Sequence, residues 1–318
     1  MSQSARNTSP NAWRVVLVSI VLGVALMPCR AEAGVVPGDV NADGQVNVQD
    51  VFYLINFLFA GGPAPVLAEI TVTLPGGVPL VLERIPAGTF QMGSPAGERN
   101  REVDETLHQV TLTHDYYLGK TEVTQAQWQA VMGTPMPDTC GSYGVGDGYP
   151  VYCVSWVDIA GPGGFVEKLN VLLATTKFRL PTEAEWERAA RAGTTTRFAH
   201  GDGLECADDC SSCALHAQNM WWCGNNTPEG NKPVGGKQPN AYGLYDMHGS
   251  LWELVQDFYG DYPPGAAEDP PGPASGDARV MRGGSWDKWA SSCRAAYRGS
   301  RTPTHRGNFY GFRLARSL

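Results

Sequence analysis

Phe178–Gly193 reads FRLPTEAEWERAARAG, and its middle carries a complete helix-start signal. Thr182-x-x-Glu185 directly after Pro181 is a capping box, in which the Thr hydroxyl and the Glu carboxylate each satisfy a backbone N–H left free at a helix N-terminus. The pattern predicts a helix through Arg191, closed by Gly193, with Trp186, Ala189 and Ala190 on its inner face. A second box, Thr124-x-x-Gln127, opens a helix that Gly133 closes. Between and around the two helices, Leu82–Phe90 alternates and turns at Pro86–Gly88, and Asp115–Leu118 is a strand candidate. The 38 Gly, 23 Pro and 9 Trp indicate loops and turns around aromatic packing instead of a helix bundle. These features give an α+β class, compact and loop-rich, with sparse regular secondary structure.

The order of the blocks is more informative than any one of them. IPAGTFQMGS (85–94), GKTEVTQAQWQAVMG (119–133), PVYCVSW (150–156), the helix above, KPVGGKQPNAYGLYDMHGSLWEL (232–254), RGGSW (282–286) and YGFRLA (310–315) follow one another over residues 80–318. In this order they resemble the formylglycine-generating enzyme (sulfatase-modifying factor) family. The resemblance implies a C-type-lectin-related fold with bound calcium. It places one calcium loop at YDMHGSLWEL, with Asp246 and Glu253 as side-chain ligands and Gly249 and Leu251 offering carbonyls, a donor set that suits a hard cation. A further site would begin at Asn219 and the Met220 carbonyl, with its acidic partner falling near Asn225 or Asn226.

The resemblance also implies a catalytic pair. Family members bind copper through two cysteines spaced C-x4-C after the RGGS segment, and use oxygen to convert a substrate cysteine to formylglycine. Here Cys293 matches the second cysteine and Lys288 stands in place of the first. Cu(I) selects soft paired thiolates, and an ammonium cannot replace one. The expected cofactor is therefore calcium and not copper, although a divergent oxidase stays open as the alternative. Ser285 and Trp252 match positions lining the family's substrate cleft. Arg282, Arg294, Arg298, Arg301, Arg306 and Arg313 make the C-terminal stretch basic. They either form a cleft for an anionic ligand or satisfy carbonyls and carboxylates of a loop-rich core. The six histidines have no HxxxH spacing and read as separate surface or packing residues, and no GxSxG, P-loop or HExxH motif is present.

At the N-terminus, Arg6 and Arg14 flank a polar start, Val15–Met27 is apolar, and Ala31-Glu32-Ala33 precedes Gly34. Residues 1–33 therefore read as a secretion signal, with an apolar run too short for the roughly 20 helical residues of a bilayer core. The mature chain is expected in a secreted, periplasmic or cell-envelope compartment, with no membrane association after cleavage. The formal charge of −8 becomes more negative once Arg6, Arg14 and Arg30 leave with only Glu32, so nucleic acid is not an expected partner. Residues 34–65 contain GDVNADGQVNVQD (38–50), with Asp39, Asn41, Asp43, Gln45, Asn47 and Asp50 at loop positions 1, 3, 5, 7, 9 and 12 of an EF-hand-like register. With Asp at position 12, the segment resembles a dockerin type I repeat, here single where dockerins usually carry two. It reads as a calcium-rigidified spacer before a linker over 66–79 that contains a strand-like stretch, Glu69–Leu74.

Export makes the cysteines disulfide candidates. Cys140 and Cys153 bracket one loop and are the expected pair. Cys206, Cys210, Cys213 and Cys223 form two bridges in one of three ways, or a zinc knot. Cys293 is then left alone. Together these readings describe an exported calcium-binding protein whose family domain acts as a binding or assembly module, for a protein or glycan ligand such as a cohesin-like domain or a sulfatase.

Overall fold

The computed structural model describes residues 68–318, so the secretion signal and the calcium-loop expectation at Asp39–Asp50 lie outside the described residues. The chain enters as a hairpin of β1 (Glu69–Leu74) and β2 (Val78–Ile85). The expected linker is thus partly sheet. Ile70 and Val72 alternate inward and Leu74 is buried, while Pro75-Gly76-Gly77 makes the turn with both glycines in the left-handed region.

Three sheets share the strand pairing. The first, in order β1-β2-β5-β12-β6, contains β5 (Tyr116–Gly119), β6 (Phe178–Arg179) and the C-terminal β12 (Ala315–Ser317). The second, β10-β9-β7-β11, is built on β7 (Trp252–Phe258) and β9 (Arg279–Arg282), flanked by β10 (Gly299–Arg301) and β11 (Tyr310–Gly311). The third joins β3 (Gly88–Met92), β4 (His108–Leu112) and β8 (Ala267–Glu268). The expected strand candidates correspond to β2, β3 and β5.

Both capping boxes form as read. Thr124 and Gln127 cap α1 (Gln125–Met132), with Gly133 left-handed at its end. A third box, Ser155 with Asp158, opens the short α2 (Trp156–Ala160), which is followed by α3 (Phe165–Leu172). Thr182 and Glu185 cap α4 (Glu183–Arg191), which ends on a left-handed Ala192 one residue before the expected Gly193. Every residue of α4 is buried, not only Trp186, Ala189 and Ala190. The helix runs through the interior, so its polar residues must find partners there. Glu185 pairs with Arg179, Glu187 with Arg191 and Arg282, and Glu183 with Arg298, while Arg188 donates to the Pro86 and Ala87 carbonyls. A last helix, α5 (Ala214–Asn219), lies in the cysteine-rich loop. Among the described residues no helix is long and apolar enough to cross a membrane.

Candidate functional site

The site is built on the turn after β9. Gly283 and Gly284 are both left-handed and bring the chain back under a 3-10 turn, Ala290–Cys293. A Cβ at Gly284 would stand 2.7 Å from the Cys293 Sγ, so the position admits only glycine while the thiol lies beneath it. Cys293 is fully buried, and its Sγ reaches the Trp289 carbonyl, at 3.7 Å, and the Ser285 backbone. Burial first, and then the Asp287 charge, push the thiol up to about 12, so it stays protonated at neutral pH. Lys288 turns away to Asp287, at 2.8 Å, with its Nζ 4.9 Å from the Phe309 ring centroid. Ser285 donates to the other Asp287 oxygen at 2.6 Å. Trp252 is buried against Tyr297 in the core that also holds Leu254, Met281 and Tyr310, while Trp289 is the exposed aromatic of the segment, at 61%.

Among the described residues the other cysteines pair as Cys140–Cys153, Cys206–Cys213 and Cys210–Cys223, leaving Cys293 as the free one. Once Cys29 has left with residues 1–33, a thiol reagent is therefore expected to modify no cysteine of the native protein and one after denaturation without reductant. Labelling followed by intact-mass measurement reads both numbers.

The arginine question divides by position. Arg282, Arg294 and Arg313 are fully buried, and Arg298 nearly so. Arg294 is held by Glu98 and Glu105, Arg298 by Glu183, and Arg313 by Glu253. These four serve the core. Arg301 donates to the Tyr310 hydroxyl, and Arg306 pairs at the surface with Asp158.

The fold gathers three histidines that look unrelated in sequence. His200, His216 and His248 surround Phe198, with ring centroids 4.8–5.5 Å from it. His248 Nδ1 donates to the Cys293 carbonyl at 2.8 Å and its Nε2 accepts from the Ala199 N–H at 3.0 Å, which fixes a neutral ring. His200 Nε2 and His216 Nδ1 lie 3.1 Å apart. Burial, with the neighbouring His248 and His216 adding to it, lowers His200 from 6.5 to about 2, and burial lowers His248 to about 4.

A lowered folded-state value makes the stability complete above pH 6.5 and lost as the pH falls below it. From pH 6.5 to 5 the unfolded chain protonates at His200 and the folded chain does not, a loss of about 2 kcal/mol. Asp246, Asp257 and Glu83 are raised by burial to about 6, 7 and 7 and act in the opposite sense, losing stability as the pH rises. The measurement is therefore a difference. The stability of the parent minus that of His200→Phe is expected to fall by about 2 kcal/mol between pH 7.5 and 5 in urea titrations. An unchanged difference would refute the buried neutral ring.

At the YDMHGSLWEL loop, Asp246 has a left-handed backbone and is 3% exposed. A Cβ at Gly249 would stand 1.9 Å from the Trp221 carbonyl oxygen, so only glycine lets these two chain segments cross. Asp246 Oδ2 accepts from the Gly235 N–H at 2.6 Å, while Oδ1 has no partner. Glu253 is fully engaged by the Arg313 fork and by Trp186 Nε1. The unexpected member is Glu122, 1% exposed, whose oxygens are met by no cation and no backbone N–H and have only the Ser250 hydroxyl near them. Burial raises it well above the usual carboxylate range, and Asp246 and Glu253 raise it further. Its signal in the sequence was its place two residues before the α1 cap, inside a block used above only for its helix and its order. At the other expected site, Asn219 Nδ2 donates to the Leu215 carbonyl, and the Met220 carbonyl accepts from Asn225 Nδ2 at 3.0 Å. Among the described residues no three His, Cys, Asp or Glu side chains form a metal-binding group. A cation at either loop would therefore need backbone oxygens as well.

Comparison with known proteins places the chain in a family. Residues 81–318 match the family described as sulfatase-modifying factor enzyme 1-like domain. The formylglycine-generating enzyme of Streptomyces coelicolor is 29% identical over 297 residues, covering 73% of this chain and 88% of that protein. The serine/threonine-protein kinase pkn1 of Chlamydia pneumoniae is 30% identical over 80% of this chain, which spans only 39% of the kinase's length. Among solved structures, Treponema denticola variable protein 1 superposes with a TM-score of 0.67 at 30% identity, covering 80% of this chain and 100% of that one.

Proposed function

The chain belongs to the sulfatase-modifying factor enzyme 1-like family, and from that premise we propose that it is an exported, calcium-stabilised binding or assembly module that lacks copper-dependent cysteine oxidation. The observation that carries the reading is Cys293, a single buried thiol held protonated, with Lys288 where the family places its mate. One buried thiol and one ammonium do not fit a copper ion that needs two thiolates.

Calcium is a better match to the side chains. Glu122 and Asp246 present buried, uncommitted carboxylate oxygens, which are costly unless a cation joins them. They would hold the ion beside the Gly249 and Leu251 carbonyls, with Glu253 behind them oriented by Arg313. The ion would serve to neutralise and rigidify the loop. A second calcium at Asp39–Asp50 would stiffen the N-terminal spacer. Three disulfides suit an oxidising compartment. For a protein or glycan partner, the exposed Trp289 offers the kind of aromatic anchor that dominates binding surfaces.

Incubation of the purified protein with Cu(I), oxygen and a Cys-x-Pro-x-Arg peptide is expected to leave the peptide mass unchanged. Conversion of the cysteine to formylglycine, lost again in Cys293→Ser, would establish the divergent oxidase instead.

A further inference from the structure

Away from Cys293, a cavity of about 340 Å³ lies at the start of α4, between β7 and the proline-rich loops that follow it. This volume lies within the range of small-molecule sites. Met92, Tyr262 and the prolines 263, 270, 271 and 273 make most of its wall apolar. Beside the exposed Asp261, two of its buried polar lining residues retain uncommitted atoms. Asp257 is 4% exposed, and its Oδ2 caps the Glu183 N–H at 2.8 Å. Its Oδ1 faces Gly272, where a Cβ would stand 2.7 Å away, and that glycine lines the same cavity. His108 Nδ1 lies 2.9 Å from the Thr106 carbonyl, which can only accept, so Nδ1 donates and Nε2 is left as a lone-pair acceptor.

The positive group in the wall is already spent. Arg298 gives Nε and Nη2 to the two Glu183 oxygens, Nη2 also to the Gly260 carbonyl, and Nη1 to the Asp104 carbonyl. Tyr262 donates to Glu183 Oε1. An anionic ligand would find no free donor here, whereas a ligand carrying several N–H groups would find two acceptors.

We propose that this cavity is a binding site for a small organic cation, an amine or amidine on a compact apolar body, whose N–H groups are taken by Asp257 Oδ1 and His108 Nε2. Burial, with the nearby Glu183 charge, pushes the empty-cavity Asp257 carboxyl up to about 7, so a bound cation supplies the counter-charge that the wall lacks. The site is separate from Cys293 and from the calcium loop, and stands independently of the binding-module reading.

Calorimetry at pH 8 with benzamidine, and with benzamide as its neutral counterpart, tests the assignment. Benzamidine is expected to bind at least about tenfold more tightly than benzamide, as a charge-assisted pair requires. Asp257→Asn is expected to abolish that preference. His108→Phe, which keeps a ring against Tyr262, weakens benzamidine about tenfold and covers the case in which the Asp257 variant does not fold. Equal binding of the two probes, absence of benzamidine binding at millimolar concentration, or unchanged affinity in either folded variant would overturn the site.

Discussion

Glu187→Ala is expected to lower the unfolding free energy by about 3–5 kcal/mol, the usual result of removing one partner from a buried ion pair. Glu187 is fully buried. Its Oε1 accepts from the Gly93 N–H at 2.8 Å and Arg191 Nε at 2.9 Å, and its Oε2 accepts from Arg282. Both guanidiniums are buried, and their other hydrogen bonds go to carbonyls of Gly93, Thr196, Ala295, Ala296 and Tyr297, which do not neutralise charge. Arg282 keeps one looser contact, its Nε 3.6 Å from Glu183, so truncation strands Arg191 and leaves Arg282 with a carboxylate that Arg298 already holds. Arg306→Ala is the comparison, because its carboxylate partner Asp158 is also gripped by two N–H groups, at 2.7 and 2.5 Å. There the Arg side chain is 42% exposed, water replaces the lost partner, and the cost is expected to stay near 0–1 kcal/mol. Urea titration with an unchanged m-value reads both. Comparable costs for the two variants would show that the interior network does not carry the fold.

How much of this was legible in the sequence follows from how local each signal is. The boxes at Thr124 and Thr182 were readable because cap and partner sit three residues apart, and both helices begin where the pattern places them. Ser155-x-x-Asp158 carries the same pattern, yet its helix is too short to show a hydrophobic period. Glu69–Leu74 looked like a strand but was placed in a linker, because its partner β2 begins only beyond the Pro-Gly-Gly turn. The Cys140–Cys153 bridge was found by loop bracketing. The choice among the three pairings of the other four depended on the path of the loop around α5, which spacing does not encode.

Charge placement was harder to read. The arginines of the C-terminal stretch were as compatible with a cleft as with a core, since the decisive fact is a carboxylate on a distant segment, Glu105 for Arg294 or Glu253 for Arg313. His200, His216 and His248 converge from two separate loops and α5, so a search for local spacing passes over them. Glu122 was passed over for the same reason. It sits 124 residues from Asp246 in sequence, and only the folded chain shows two buried carboxylates facing one need.

That need leads to the second large effect. In the Asp43→Asn background, which removes a key carboxylate of the N-terminal loop, calcium added to the chelator-treated protein is expected to raise the melting temperature by about 5–10 °C. At 100 times its dissociation constant a ligand contributes about 2.7 kcal/mol, and one kcal/mol moves a domain of this size by about 2–4 °C. Glu122→Gln should act in two directions. It removes a buried carboxyl that, without the ion, must either ionise beside Asp246 or take up a proton at a cost the unfolded chain does not bear, so the calcium-free protein becomes more stable than its parent. It also removes a hard anionic ligand, so most of the calcium response disappears. A mutation that only damaged packing would lower both melting temperatures, and one remote from the ion would leave the response intact. Opposite signs in the two conditions identify Glu122 as a ligand. An undiminished calcium shift in Glu122→Gln places the ion elsewhere, and no shift in the parent means that Glu122 and Asp246 are carried as a protonated pair.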